Sequence, residues 1–294
     1  MILKHYLDIA RAVNSITKCG IPNSKIQDFT YKVLTLFNLL LKVLPLSNRL
    51  IPWLFREPSI LLCRFQALIM KFLLYPRTDS VVFTNPWFHE YDIQVFITKV
   101  LERGDVFIDI GAHVGLYTVL AGIKVGSSGL VVAVEPNPIN ALILRFNVKL
   151  NKLSNVHIVQ KALGDKEGSI ELYFEPNRTA FSTLLQKPRN RKHIVMVQMT
   201  TLDKIAETYG IHKIKVIKID TEGYDFYVLK GGVKTIQKTY YLIVEENTRR
   251  VRKFLSNMGF SIRTLYPSGY LLACLLYTSP SPRDLSTSRM PSSA

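Results

Sequence analysis

The stretch that decides the fold is "DVFIDIGAHVGLYTVLAG", which runs from Asp105 to Gly122. Its apolar, β-branched run at 106–110 predicts a buried strand, and the apolar residues from 116 onward predict a helix directly after it. The loop between them has glycines at positions 111 and 115. A strand, a glycine loop and a helix in this order are typical of a binding site for a small polar ligand.

The chain from residue 81 onward repeats this alternation of strand and helix. Such an alternation predicts an α/β fold, a doubly wound and mostly parallel sheet that is covered by helices on both faces. The final runs "SIRTLY" and "YLLACL" predict an antiparallel hairpin at one edge of the sheet. The other predicted strands are 106–110, 130–135, 156–162, 169–175, 194–200, 215–220 and 240–246, and the predicted helices are 116–125, 138–151, 202–209, 224–237 and 248–258.

The glycine loop does not match the two common phosphate-binding motifs. A dinucleotide fingerprint has a second glycine two residues after the first, where this chain has His113. A P-loop requires Gly-Lys-Ser/Thr, which does not follow Gly115. We expect Gly111 to permit a tight turn and Gly115 to allow close helix packing.

Three acidic residues follow three successive predicted strands. Asp109 stands beside the loop, Glu135 ends the next strand, and Asp165 follows the third in "ALGD". A carboxylate beside the loop suits a ligand with an ammonium and a sulfonium group, which describes S-adenosylmethionine, and Glu135 is placed to accept from its ribose hydroxyls. Asp165 is placed to accept from the adenine amino group. The alternative for each acid is a solvated loop residue or a helix cap.

Six motifs in order resemble the FkbM family of S-adenosylmethionine-dependent methyltransferases. The resemblance covers roughly residues 85–273 and implies the class I methyltransferase (Rossmann-like) fold, a seven-stranded sheet with one reversed strand, which we place at the edge. It also implies methyl transfer, most often to a hydroxyl oxygen. Asn is common in the family where this chain has His113. The motifs are "FIDIGAHVGLYT", "VVAVEPNP", "ALGDKEGSIELY", "TTLDKI", "VIKIDTEGYDFYVLKGG" and "LIVEEN".

Two carboxylates at strand ends are the candidate catalytic residues. Asp220 in "KIDTEG" is placed next to the cofactor loop by the fold that the resemblance implies, so we expect it to act as base or to position the acceptor. Its alternative is a contact with helix N–H groups near Gly223. Glu245 can hydrogen-bond a sugar hydroxyl. With Glu222 and Asn247 these residues also offer oxygen ligands for Mg²⁺, but carboxylates at strand ends are common without metal, and we assign no metal.

The charge and the first 80 residues bear on the partners. The formal net charge is +16, which fits a basic solvated surface or attraction to phosphate-rich partners. The expected acceptor is a sugar, a glycan or a small metabolite rather than nucleic acid, because there is no Asn-Pro-Pro-Tyr type motif. Residues 1–80 are apolar, basic and broken by prolines, which predicts a helical extension packed on the catalytic domain at 81–273 or lying on an anionic membrane surface. Asp8 and Arg11 interrupt any signal peptide, so we expect a cytoplasmic protein, with peripheral membrane contact as an alternative.

Two further segments, at 177–193 and at 274–294, differ in composition from the rest of the chain. The loop 177–193 carries five of the basic residues, so it is predicted either to close over the substrate or to be a solvated basic loop. From Cys274 the sequence "CLLYTSPSPRD" resembles a translated adapter sequence. Residues 274–294 are therefore predicted to be a non-native tail, with a genuine Ser/Pro-rich tail as the alternative.

Overall fold

The structure is a computed structural model that describes residues 59–65, 68–74, 90–175, 178–184 and 193–275. Its centre is a seven-stranded sheet with the order β12-β13-β11-β10-β3-β4-β5. The five strands from β11 to β5 are parallel, whereas β13 is antiparallel to both of its neighbours. The strands are β3 (Val106–Ile110), β4 (Leu130–Val134), β5 (Val156–Val159), β10 (Ile214–Ile219), β11 (Thr239–Val244), β12 (Phe260–Thr264) and β13 (Leu271–Leu275).

This strand order confirms the α/β class I methyltransferase fold and corrects one detail of the expectation. The hairpin β12–β13 lies at one edge as predicted, but the reversed strand β13 is second from that edge and β12 is the edge strand. β12 therefore runs in the same direction as the five parallel strands.

Seven helices are described, and most of them cover the sheet. They are α1 (Tyr91–Val100), α2 (Leu116–Val125), α3 (Pro138–Leu150), α4 (Leu202–Thr208), α5 (Asp225–Lys230), α6 (Val233–Ile236) and α7 (Arg249–Asn257). Asn137, Thr201 and Thr248 cap α3, α4 and α7 with their side chains. The single helix predicted at 224–237 is wrong in one respect, because it is interrupted at Gly231–Gly232. A Cβ atom on Gly231 would lie 2.0 Å from the carbonyl oxygen of Gly164, so this backbone approach requires glycine.

Four strands form a second, smaller sheet rather than joining the main one. Its order is β6-β9-β7-β8. The strands are β6 (Ala162–Leu163), β7 (Gly168–Glu175), β8 (Arg178–Thr183) and β9 (His193–Thr200). The segment 177–193, predicted as a loop, therefore begins with a strand, because residues 178–183 pair with β7. Its basic residues at 187–192 lie outside the described residues.

The N-terminal extension contains a β-hairpin where helices were predicted. β1 (Ser59–Phe65) pairs with β2 (Leu68–Leu74) in antiparallel register. Met70 and Phe72 of β2 are fully buried in the main core. The backbone N–H groups of Lys71 and Leu73 donate to the side-chain oxygens of Asn151 (2.9 Å) and Asn147 (2.8 Å) at the end of α3. The helical prediction for 59–74 is wrong because a short apolar run has no periodicity that separates a strand from a helix.

Two further predictions fall partly or wholly outside what the structure describes. The helices predicted within 1–58, and the membrane contact predicted for that segment, lie outside the described residues. Within the described ranges, no helix is long and apolar enough to cross a membrane. The tail predicted from Cys274 onward begins inside β13, where Cys274 pairs with Tyr241 and Ser261, and residues 276–294 lie outside the described part.

Candidate active site

The glycine loop joins β3 to α2 and brings the site together. Gly111 and Gly115 have φ angles of 75° and 98°, and His113 between them has 51°, a left-handed conformation that glycine adopts without strain. A Cβ atom on Gly111 would lie 1.7 Å from the carbonyl oxygen of Asp220, and one on Gly115 would lie 2.4 Å from the side chain of Leu144. Gly111 thus fixes the loop against the end of β10, and Gly115 fixes α2 against α3.

Asp109 is the last but one residue of β3, just before this loop, and 1% of its surface is exposed. Its Oδ2 accepts a hydrogen bond from Thr118 Oγ1 at 2.5 Å. Its Oδ1 is buried and accepts no hydrogen bond from any residue in the described ranges. Burial raises the pKa of Asp109, although the nearby ammonium of Lys218 opposes the rise. A buried carboxylate oxygen without a donor is costly, so this atom fits a ligand that brings a donor group.

Glu135 follows β4 and is also buried, with 4% of its surface exposed. Its Oε2 accepts from the backbone N–H of His113 (2.8 Å), and its Oε1 accepts from that of Asn137 (2.9 Å). Burial raises the pKa of Glu135 to about 7, against the lowering effect of these hydrogen bonds. Glu135 therefore connects the glycine loop to the start of α3, and a carboxylate retains lone pairs for further donors.

Asp165 follows β6 and is engaged elsewhere. Its Oδ2 lies 2.8 Å from the Nζ of Lys230 on α5, and this hydrogen bond to Lys230 lowers the pKa of Asp165. The described contacts of Asp165 do not include Asp109 or Glu135, so its adenine-binding role stays a prediction.

Asp220 follows β10 and lies beside the glycine loop, where the fold implied by the resemblance places it. Its backbone N–H donates to the carbonyl of Ile110 at 3.0 Å. Its side chain keeps 22% of its surface exposed, and its Oδ2 lies 2.7 Å from the Nζ of Lys218. Burial by itself would raise the pKa of Asp220, but the charge and hydrogen bond of Lys218 hold it below its ordinary value.

Glu245 follows β11, the neighbouring strand, and one of its carboxyl oxygens lies within 4.8 Å of an oxygen of Asp220. Burial, together with the negative charge of Asp220, raises the pKa of Glu245 to about 9. At neutral pH the pair therefore holds one proton, with Asp220 as the ionised member and Glu245 as the protonated one. A neighbouring carboxylate and carboxylic acid of this kind can accept a proton from a hydroxyl group.

Four residues around Asp220 were not selected from the sequence. The hydroxyl of Tyr270 lies 3.0 Å from Asp220 Oδ2 and 2.9 Å from Glu90 Oε1. Tyr117 donates to the other oxygen of Glu90 at 2.5 Å. The ammonium of Lys218 lies over the rings of Tyr117 and Tyr270, 4.8 and 5.8 Å from their centroids. Lys218 could have been found, because a lysine between apolar residues of a central strand requires buried partners.

The acidic residues considered as metal ligands are only partly assembled. Oxygens of Asp220, Glu222 and Glu245 lie within 4.8 Å of one another. Asn247 is not available to the set, because its side-chain oxygen accepts from Arg252 at 2.8 Å. Lys218 already supplies a positive charge to Asp220, so the arrangement fits proton transfer better than cation binding.

The end of strand β8 contacts the loop next to Glu135 and the loop that carries Glu222. Ser182 Oγ accepts from the side chain of Asn137 at 3.0 Å, next to Glu135. Thr183 Oγ1 donates to the carbonyl oxygen of Glu222 at 3.3 Å. The smaller sheet therefore bridges the loops that carry Glu135 and Glu222.

Comparison with solved structures gives only weak similarity. A SAM-dependent methyltransferase from Aquifex aeolicus is 14% identical with a TM-score of 0.35, and the match covers 62% of this chain and 87% of that one. Precorrin-6y C5,15-methyltransferase from Geobacter metallireducens is 12% identical with a TM-score of 0.38, over 62% and 85% of the two chains. At these scores we base no argument on the likeness, and the fold rests on the strand order.

Comparison with protein sequences is more informative. "Methyltransferase 1" of Beauveria bassiana is 27% identical over 195 residues, which cover 56% of this chain and 76% of that protein. "Hexuronic acid methyltransferase AglP" of Haloferax volcanii is 25% identical over 176 residues, which cover 58% and 70%. The sequence model of the methyltransferase FkbM domain matches residues 109–262, just over half of the chain. The chain therefore belongs to the FkbM methyltransferase family.

Proposed function

We propose that this methyltransferase uses S-adenosylmethionine to methylate a hydroxyl oxygen of a sugar, a glycan or a small metabolite. The observation that carries the proposal is the close pair of carboxyl groups of Asp220 and Glu245 beside the glycine loop. It places a group able to take a hydroxyl proton next to the loop where the cofactor is expected.

The residues around the glycine loop fit S-adenosylmethionine. Asp109 and Glu135 both present carboxylate oxygens, which accept from ammonium and hydroxyl donors and repel phosphates. The buried Asp109 Oδ1 lacks a donor within the described residues, and the ammonium group of the cofactor is a donor of the right kind. Asp109, the loop from Gly111 to Gly115, and Glu135 would therefore hold the cofactor.

When bound, S-adenosylmethionine supplies a methyl group on a positively charged sulfur, which keeps the electron pair of the broken bond. The residues of the chain then have to position the acceptor and remove its proton. Asp220 takes the hydroxyl proton while the acceptor oxygen forms its bond to the methyl carbon. Its side chain is 22% exposed, so an acceptor can reach it from solvent.

The acceptor class is supported by the neighbourhood of the pair and by one relative. Glu90, Glu222 and Glu245 surround Asp220 with further hydrogen-bonding oxygens, which suits an acceptor rich in hydroxyl groups. AglP, named a hexuronic acid methyltransferase, acts on a sugar acid. A sugar acceptor here would thus agree with both observations.

The test is transfer of an isotope-labelled methyl group to a panel of neutral sugars, hexuronic acids and extracted glycans. We expect a labelled product that survives mild alkali, because a methyl ether is stable there and a methyl ester on a carboxylate is not. The activity should persist after nuclease treatment of the acceptor extract. Alkali-labile label would assign the methyl group to a carboxylate, and nuclease-sensitive label would assign it to nucleic acid; either result would contradict the proposal.

A further inference from the structure

Lys218 is a charged residue in the central strand of the main sheet, with 2% of its surface exposed. It lies opposite Asp109 in the register of β10 and β3, so both side chains project from the same face of the sheet. Asp220 comes two residues later, directly after the end of β10. The ammonium group contacts Asp220 Oδ2 at 2.7 Å.

The surroundings of Lys218 keep it positively charged. Burial would lower the pKa of Lys218, but the carboxylates of Asp220, Glu90 and Asp109 raise it above its ordinary value. Its ammonium also lies over the rings of Tyr117 and Tyr270, whose faces attract cations. Lys218 is therefore positively charged at neutral pH.

We propose that Lys218 is a positioning residue for methyl transfer, whose ammonium holds Asp220 as a carboxylate and leaves the proton of the acid pair on Glu245. This inference rests on the proposed function, in which Asp220 receives the acceptor proton. In this inference the charge of Lys218 determines that Asp220, rather than Glu245, is the ionised member of the pair and so the base.

The argument follows from the asymmetry of the pair. Two carboxyl groups whose oxygens lie within 4.8 Å of each other do not both ionise readily, so the pair retains one proton. Asp220 has the 2.7 Å contact with an ammonium, whereas the groups that act on Glu245 are the carboxylates of Asp220, Asp225 and Glu222. The ionised form is therefore favoured on Asp220 and the neutral form on Glu245.

The acidic groups that face Asp220 act in the opposite direction to Lys218. Glu222 in the following loop, Asp225 of α5 and Glu90 before α1 are acids, and each adds negative charge near Asp220. Asp109 of β3 also lies near it. Tyr270 stabilises the carboxylate through its hydroxyl, but it carries no positive charge. Without the ammonium of Lys218, Asp220 would therefore hold its proton up to a higher pH.

The experiment is a carbon-13 NMR titration of the side-chain carboxyl groups of Asp220 and Glu245 in the full chain. The two signals are assigned with Asp220→Asn and Glu245→Gln. In the wild type the Asp220 signal should be that of a carboxylate at pH 7. In Lys218→Met, which keeps the side-chain length and removes the charge, the midpoint of Asp220 should rise by about 1–3 pH units. Lys215→Met is the matched control, because its ammonium lies over the rings of Tyr240 and Tyr241, and it should leave that midpoint unchanged.

A second variant covers the case in which Lys218→Met does not fold. Lys218→Met combined with Glu90→Gln removes one positive and one negative charge, so the net charge of the cluster is kept. The Asp220 midpoint should still rise in this double variant. An unchanged Asp220 midpoint in either variant that folds would overturn the inference.

Methyl transfer separates this inference from the proposed function. With a working acceptor, the acid limb of the pH–activity profile of Lys218→Met should move to higher pH by about the same 1–3 pH units as the Asp220 midpoint, whereas a structural defect would lower activity equally at all pH values. A normal rate in Asp220→Asn would refute the proposed role of Asp220. Loss of activity in Asp220→Asn together with an unshifted pH profile in Lys218→Met would refute only the role of Lys218.

Discussion

The backbone of Gly111 approaches that of Asp220 so closely that a Cβ atom on Gly111 would lie 1.7 Å from the Asp220 carbonyl oxygen. Gly111 belongs to the loop expected to hold the cofactor, and Asp220 is the expected base. The contact joins the two halves of the site through rigid backbone rather than through flexible side chains. The distance between cofactor and base is therefore set by the sheet.

Gly111→Ala should destabilise the whole protein. The substitution combines a left-handed φ with a backbone clash, so we expect a loss of about 4 kcal/mol or more in the free energy of unfolding. Gly210→Ala is the matched control, because Gly210 has a φ of 60° and nothing within 4 Å of the added atom. It should cost only about 1–2 kcal/mol. Equal losses in urea denaturation for the two variants would show that the approach of Gly111 to Asp220 is not tight.

Glu135 should make cofactor affinity depend on pH. Because the pKa of Glu135 is raised to about 7, it is protonated at pH 6 and ionised at pH 8, and only the carboxylate accepts fully from ribose hydroxyls. Affinity for S-adenosylmethionine, measured by calorimetry, should therefore rise from pH 6 to pH 8. Ionisation of the cofactor itself can also make affinity depend on pH. In Glu135→Gln only that contribution should remain, so the rise in affinity from pH 6 to pH 8 should be smaller than in the wild type.

Glu135→Ala tests the same assignment by magnitude. Removal of a hydrogen bond to a charged group should weaken cofactor binding by roughly 1.5–3 kcal/mol. Glu135→Gln should lie between the alanine variant and the wild type. Wild-type affinity in the alanine variant would show that Glu135 serves only to connect His113 to Asn137.

The N-terminal hairpin should contribute to stability through one face of β2. Phe72 is fully buried in the main core, so Phe72→Ala should lower the free energy of unfolding by about 3–5 kcal/mol. Ile69 lies on the same strand and is 53% exposed. Ile69→Ala should change stability by less than about 0.5 kcal/mol. Thermal denaturation of both variants checks this. A small effect of Phe72→Ala would show that the hairpin does not contribute to the stability of the domain.

Deletion of residues 276–294 should leave the thermal midpoint and the cofactor affinity unchanged. The deletion keeps β13 complete, since that strand ends at Leu275. Deletion from residue 271 is the control, because it removes a strand paired with both β11 and β12, and it should abolish folding. A clear fall in the midpoint for the shorter deletion would mean that the tail packs against the domain.

The parallel part of the fold was predictable from the sequence because its strands are buried on both faces. Runs such as Val106–Ile110 and Ile214–Ile219 are short, β-branched and followed by helices, which leaves few alternatives. The hairpin at 59–74 was not predictable in this way. Its apolar runs depend on contacts with Asn147 and Asn151 of α3, about 75–80 positions away in the chain.

The candidate site was predictable where acids follow strands and was not where side chains come from elsewhere. Asp109, Glu135 and Asp220 each stand at the end of a recognisable strand. Tyr270 contacts both Asp220 and Glu90. Glu90 and Tyr270 are 180 residues apart in the chain, and no local pattern brings them together. Asp165 shows the converse, because its position after a strand did not reveal its pairing with Lys230.

The most direct test of the account compares turnover with cofactor affinity in Asp220→Asn. An alcohol is a weak nucleophile, and a positioned base contributes roughly 10²–10⁴-fold, so turnover should fall by about that factor. Affinity for S-adenosylmethionine in calorimetry should stay close to that of the wild type. Asp105→Asn, at the opposite end of β3, should preserve both quantities. Near-normal turnover in Asp220→Asn would contradict the account. Loss of cofactor binding in this variant would make Asp220 a binding residue rather than the base.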